Sequence, residues 1–158
     1  MLKIGDVAPL FAVAAVDGSE GKTVRLADYA GKKNVVLFFY PRDFTRVCTA
    51  EVCGFRDMYE DLTGKDTEII GVSLDNADSH RRFAQKNSVP YPLVADTDKV
   101  LARAYGAVGT LRGILGLAKR ITFVIDKAGK VAGVFEAELN ADTHLDGVKA
   151  TLARLATG

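Results

Sequence analysis

Residues 34–40, Asn-Val-Val-Leu-Phe-Phe-Tyr, run apolar with no polar alternation and stop at Pro41. A strand with one wet face alternates apolar and polar residues. A strand with no polar member must be covered on both faces, and a proline, lacking an N–H for the ladder, ends it. The run therefore predicts a central strand between two layers. At 158 residues the chain suits one domain, 1–158, that buries roughly two thirds of its unfolded surface.

The segments around this strand follow in an order that restricts the architecture. Residues 45–65 predict a helix, because Val52, Phe55, Tyr59 and Leu62 draw one apolar stripe and Gly64 offers a stop. Residues 68–74 read as a second strand, and Asn76 or Asp78 caps a helix running to about 87. A short extended piece at 91–94 and a short helix at 98–105 come next. Residues 121–125 and 131–136 flank Asp126-Lys127-Ala128-Gly129-Lys130 as a hairpin. Asp142 or Thr143 opens a last helix with Leu145, Val148, Leu152 and Leu155 on its apolar side. With an N-terminal extended or hairpin segment in front, this is an α/β chain with a mixed central sheet and helices on both faces.

Charge and hydropathy exclude several classes. The formal net charge is +1, so there is no electrostatic case for nucleic acid or an anionic membrane as a partner. No apolar run approaches the ~18 residues of a membrane span; the most apolar piece, 111–118, is broken by Arg112, Gly113 and Gly116. The opening residues lack a signal peptide's basic-then-apolar order, being interrupted by Asp6 and Pro9. The expected location is cytoplasmic, where a cysteine pair is more often catalytic than structural.

The only two cysteines, Cys48 and Cys53, stand on the predicted helix directly after the central strand. Cys48 falls in its first turn, where unpaired backbone N–H groups and the helix dipole favour an anion. Helix N-termini and nearby cations lower thiol pKa values by about one to several units, so the position activates a thiol without a histidine base. Five residues place the two side chains roughly 140° apart around the helix and ~7.5 Å apart along it. A disulfide needs Cα atoms within about 7 Å and facing Cβ vectors, so pairing requires the first turns to unwind. Zinc is disfavoured, since the only other ligand types of that class are His80 and His144, both read as solvated helix residues. Gly106-Ala107-Val108-Gly109 has the wrong spacing for a phosphate-cradling loop. No cofactor or metal is expected.

Pro41-x-x-x-Thr45-x-x-Cys48 has the spacing that marks peroxiredoxins. With Phe39-Tyr40, Asp43, Thr49, Glu51, Cys53 and Phe55-Arg56-Asp57, the region resembles the bacterioferritin comigratory protein, or peroxiredoxin Q, branch. The resemblance extends to Gly5-Asp6-x-Ala8-Pro9-x-Phe11, Gly71-Val72-Ser73, Tyr91-Pro92-Leu93-Val94-Ala95-Asp96 and Arg120-Ile121-Thr122-Phe123-Val124-Ile125-Asp126. It implies a thioredoxin-like fold and thiol-dependent reduction of hydrogen peroxide and organic hydroperoxides. Carried over by position, it makes Cys48 the peroxidatic cysteine. Thr45 would hydrogen-bond thiolate and peroxide, Arg120 would hold both, Pro41 would shield the sulfur, and Glu51 would orient the arginine. Cys53 matches the resolving cysteine that some members carry in the same helix, with thioredoxin or a similar dithiol protein as reductant. Gly54, a poor helix residue, would ease the unwinding. An intrasubunit disulfide needs no dimer, so a monomer is expected, with a non-covalent dimer as the variant.

One departure stands out: members commonly carry Pro-Gly where this chain has Arg46-Val47. Arg46 then brings an extra cation toward the thiolate or alters the approach of substrate. The 111–118 segment would line the site for bulky hydroperoxides. Two other readings stay open at the level of sequence, a general thiol–disulfide oxidoreductase and a non-enzymatic thioredoxin-fold binding module.

Overall fold

The structure, a computed structural model, describes residues 2–64, 66–108 and 118–157. Its strands are β1 (Ala12–Asp17), β2 (Glu20–Arg25), β3 (Asn34–Phe39), β4 (Thr67–Ser73), β5 (Leu93–Ala95), β6 (Ile121–Ile125) and β7 (Val131–Glu136). Its helices are α1 (Arg46–Thr63), α2 (Ala77–Asn87), α3 (Val100–Ala104) and α4 (Ala141–Thr157), with a 3₁₀ turn at Leu26–Tyr29. No helix among the described residues is long and apolar enough to cross a membrane.

The strands form one mixed sheet in the order β2-β1-β5-β4-β3-β6-β7. β3 pairs parallel with β4 and antiparallel with β6, and β4 pairs parallel with β5. The predicted central strand lies inside this sheet, and the pleat divides its side chains between two cores. Val36, Phe38 and Tyr40 point to a core shared with Val52, Phe55, Phe83, Val148 and Leu152 from α1, α2 and α4. Val35, Leu37 and Phe39 point to the other, with Leu26, Leu101, Tyr105 and Phe123. The two layers are unequal. The three long helices share one face, while α3 and the 3₁₀ turn cover the other.

Helix α1 and strand β6 place the site. The buried positions of α1 are Cys48, Glu51, Val52, Phe55 and Leu62, so the expected stripe faces the sheet and carries Cys48 with it. Antiparallel β3–β6 pairing sets Phe39 opposite Ile121 and Phe38 opposite Thr122. Val124 faces the long helices. By the two-residue period, Thr122 and Arg120 point the same way, toward the start of α1. Strand pairing thus brings an arginine 72 residues away along the chain to the helix that begins just after β3.

Gly54 has a packing role that its expected part in unwinding did not include. A Cβ there would lie 2.4 Å from Leu145 Cδ1, so the glycine lets α4 close onto α1. The expected 111–118 loop, apart from Ala118, lies outside the described residues.

Candidate active site

Cys48 sits in the first turn of α1 with none of its surface exposed. Arg120 Nη2 donates to Cys48 Sγ at 3.2 Å, and Nη1 donates to Glu51 Oε1 at 3.0 Å. Nε of the same guanidinium donates to the Glu138 carbonyl at 2.8 Å. Three acceptors in three directions fix the arginine plane, a task for which its rigid fork is suited and a lysine is not. Although burial works against its charge, the Cys48 sulfur and Glu51 carboxylate raise the Arg120 pKa further above its ordinary value.

Beside the start of α1 lies an open hollow of about 310 Å³ walled by Pro41, Thr45, Arg46, Val47, Arg120 and Leu139. Thr45 is the residue before the helix, in extended conformation (φ −89°, ψ 157°), and makes no side-chain cap. Its hydroxyl donates to the Arg42 carbonyl at 2.9 Å, so the oxygen keeps its acceptor capacity. Arg46 is exposed at the rim. Cys53 is half-buried on another face of α1, and its thiol donates to Asn87 Oδ1 at 3.6 Å. Arg56 Nη1 donates to the Asn87 carbonyl at 2.7 Å, so α1 and the end of α2 are joined beside the second thiol. The residues expected from sequence therefore come together around Cys48, except Cys53, which lies apart.

Two expectations fail. His80 and His144, read as solvated, are both wholly buried. His80 Nε2 donates to the Val94 carbonyl at 2.9 Å, and its Nδ1 lies 2.7 Å from Asp43 Oδ2. The Asp43 carboxylate also accepts from Tyr40 Oη at 2.6 Å and Ser79 Oγ at 2.8 Å, while its backbone N–H donates to Asp75 Oδ2 at 2.7 Å. This clamp holds the loop between β3 and α1, in which Phe44 is kept at φ 65°, a left-handed conformation that costs a non-glycine residue ~1 kcal/mol or more. The Phe44 ring meets Phe83 edge-on at 5.1 Å. His144 hydrogen-bonds across to Thr122 and Ala137. A signal for both histidines was present in the helical stripes: His80 precedes Phe83 and Ala84 by three and four positions, and His144 precedes Val148 by four. Periodicity gave the face; it gave no partner.

Glu51 is also wholly buried. Burial pushes its carboxyl up to about 7, against the pull of the Arg120 guanidinium. The sign of the consequence is fixed: an acid raised on folding stabilises the protein fully below its unfolded pKa and loses that contribution as pH rises through the folded one. Unfolding free energy should therefore fall by up to ~3 kcal/mol between pH about 4.5 and 8 from this group alone. Urea denaturation of wild type and Glu51→Gln across that range checks this, and the glutamine chain should show the flatter profile.

The chain is similar to known proteins over most of its length. Residues 4–134 match the AhpC/TSA family. The chain is 40% identical over 134 residues to peroxiredoxin Bcp of Bacillus subtilis, covering 82% of each chain. It is 38% identical over 142 residues to the chloroplastic peroxiredoxin Q of Gentiana triflora, covering 90% of this chain and 63% of that one. Across the chloroplastic plant relatives it spans 59 to 63% of their length. Among solved structures, peroxidoxin BcpB of Mycobacterium tuberculosis superposes with a TM-score of 0.87 at 34% identity, covering 98% of this chain and 99% of that one. The fold is thus the thioredoxin-like one of these enzymes, and the chain belongs to the AhpC/TSA family of peroxiredoxins.

Proposed function

We propose that the protein is a thiol-dependent peroxidase for hydrogen peroxide and organic hydroperoxides. The observation that carries this is the Arg120 Nη2 donor 3.2 Å from Cys48 Sγ, on an arginine that also walls an open hollow. The Cys48 thiolate attacks the terminal oxygen of the peroxide; an S–O bond forms and the O–O bond breaks. The sulfur is oxidised by two electrons to a sulfenic acid, and the leaving alkoxide or hydroxide takes up a proton. Arg120 serves the charge that spreads from sulfur to the leaving oxygen, and the oxygen of Thr45, a residue walling the hollow, can accept a hydrogen bond from the peroxide. Pro41 limits access of water, and Glu51 steadies the arginine.

Cys53 then attacks the sulfenic sulfur, releasing water and giving an intrasubunit disulfide, which a thioredoxin-type dithiol reduces. Neither cysteine is in a disulfide, and the cycle needs only a monomer in a reducing, cytoplasmic setting. Separate faces of α1 make local unwinding the slow geometric requirement. Stopped-flow oxidation and a coupled assay with thioredoxin, its reductase and NADPH test the cycle. Cys48→Ser should lose all peroxide consumption, and Cys53→Ser should still form the sulfenic acid yet lose thioredoxin-supported turnover. Undiminished turnover by the second variant would reject Cys53 as resolver.

Helix α1 is pinned near the turn that must open: Tyr91 Oη donates to the Val52 carbonyl at 2.7 Å. Removing one such bond weakens the helical state by ~1 kcal/mol. Tyr91→Phe should accordingly form the disulfide about fivefold faster after peroxide is added, which quenched-flow trapping of free thiols would measure.

A further inference from the structure

Behind Arg120 lies a buried carboxylate of which the peroxidase cycle uses only one oxygen. Glu51 Oε1 accepts from the arginine, whereas Oε2 is buried with no hydrogen-bond partner. Facing Glu51 are His144 Nδ1, 3.4 Å from Oε2, and the Thr122 side chain. That ring is held from its other side. His144 Nε2 donates to the Ala137 carbonyl at 2.9 Å, so in the neutral ring Nδ1 carries a lone pair and accepts the Thr122 hydroxyl at 2.8 Å. The single Thr122 hydroxyl proton thus faces two acceptors, the imidazole lone pair and the carboxylate oxygen, in a dry interior. Such an encounter is unfavourable unless a further proton lies between them.

The charge balance leads to the same place. With Cys48 ionised, the buried group carries the thiolate, the Glu51 carboxylate and one guanidinium, a net charge of −1. The remaining groups facing Glu51 are Thr122 from β6, His144 from α4, Glu138 beyond β7 and the Tyr91 phenol, and none of them supplies a compensating cation when the ring is neutral. One proton on the pair brings the group to zero.

We propose that Thr122 and His144 are positioning residues that keep one proton on the Glu51–His144 pair while Cys48 is a thiolate, so that Arg120 serves the sulfur undivided. This deepens the peroxidase reading and rests on it. The proton balance closes around the reaction. Ionisation of Cys48 releases one proton and the pair takes up one. Once the sulfur becomes a neutral sulfenic acid, the pair gives up its proton, and the leaving alkoxide consumes one. The group is neutral before and after. Burial raises the Glu51 carboxyl and lowers the His144 imidazolium, which puts the proton on the carboxyl oxygen.

The test is the rate of peroxide reaction from pH 5 to 9 in the Cys53→Ser background, together with the infrared band of a protonated carboxyl in the reduced protein. Wild type should show a decline in rate above neutrality, where the pair loses its proton and Glu51 draws on Arg120. Glu51 is fully dehydrated already, so His144→Phe adds little desolvation while removing the acceptor. It should move that decline to lower pH by about one unit, a tenfold weaker hold on the proton. His144→Gln, which keeps an acceptor oxygen, should return it to within half a unit. The carboxyl band should be present in wild type, absent in Glu51→Gln, shifted to higher frequency in His144→Phe, which removes the acceptor, and to lower frequency in Thr122→Val, which frees the ring lone pair for the carboxyl proton. If His144→Phe does not fold, Thr122→Val and the band decide alone. A wild type that reacts with peroxide but shows no carboxyl band, or pH profiles that superimpose, overturns the proposal and leaves the peroxidase reading standing. A wild type that shows the band but does not react overturns the peroxidase reading instead.

Discussion

Replacing Arg120 with methionine is expected to slow the reaction of Cys48 with hydrogen peroxide by about 10²–10³-fold, the loss that follows removal of one pre-aimed donor from a developing negative charge. The same change strands Glu51. A buried carboxylate whose partner has gone costs about 3–5 kcal/mol, and here the carboxyl can escape by keeping its proton. The stability loss should therefore be small at pH 5 and large at pH 8, because an acid pushed still higher on folding loses more stability as pH rises. Arg120→Lys restores a charge, but one ammonium cannot reach Cys48 Sγ, Glu51 Oε1 and the Glu138 carbonyl together from the arginine's position. It should recover much of the stability at pH 8 and little of the rate. Stopped-flow kinetics and urea unfolding at the two pH values separate the effects, and a methionine variant within threefold of the wild-type rate would refute the role given to the guanidinium.

The second large effect is structural and lies outside the expected motif. Asp43→Leu removes the acceptor of Tyr40 Oη, Ser79 Oγ and His80 Nδ1 at once, all in the interior. It should cost about 3–5 kcal/mol, a large part of the 5–15 kcal/mol that holds a typical domain together. Asp43→Asn, which keeps the shape and half of the acceptors, should cost about 1–2 kcal/mol. Adding His80→Phe to Asp43→Leu should return part of the loss, since the unpaired ring is then gone, and the coupling term of that double-mutant cycle measures the pair directly. The rate should fall along with stability, because the clamp holds the loop that carries Pro41 and Thr45 to the hollow. If Asp43→Leu unfolds at the wild-type urea midpoint, the clamp stabilises nothing.

These two predictions differ in where their evidence arose. Cys48 was legible from its place at a helix start, whereas Arg120 and Glu51 were legible only through the family resemblance, which local motifs carry. Asp43 was read only as part of that motif. Its partner His80 stands 37 residues away, and nothing near either residue announces the other. Similarly, Thr122 and His144 are 22 residues apart, and Thr122 looks like any β-branched strand residue. Gly54 looked like a helix weakener because its neighbour on α4 cannot be seen from its own segment.

The sequence by itself determined the elements and their inward faces: the apolar run of β3 from Val35 onward, the stripe that turns Cys48 toward the sheet, the β6–β7 hairpin, and the thiol at a helix start. These are consequences of backbone period, turn chemistry and the helix dipole, all of which act over a few residues. Only the tertiary structure decided which inward-facing polar group meets which. Antiparallel pairing of β3 with β6 put Arg120 over the sulfur, and the packing of α2 and α4 on one face of the sheet enclosed the two histidines. The reason is energetic. A buried polar side chain is tolerated only with a partner, and that partner is supplied by register and packing between segments far apart in the chain.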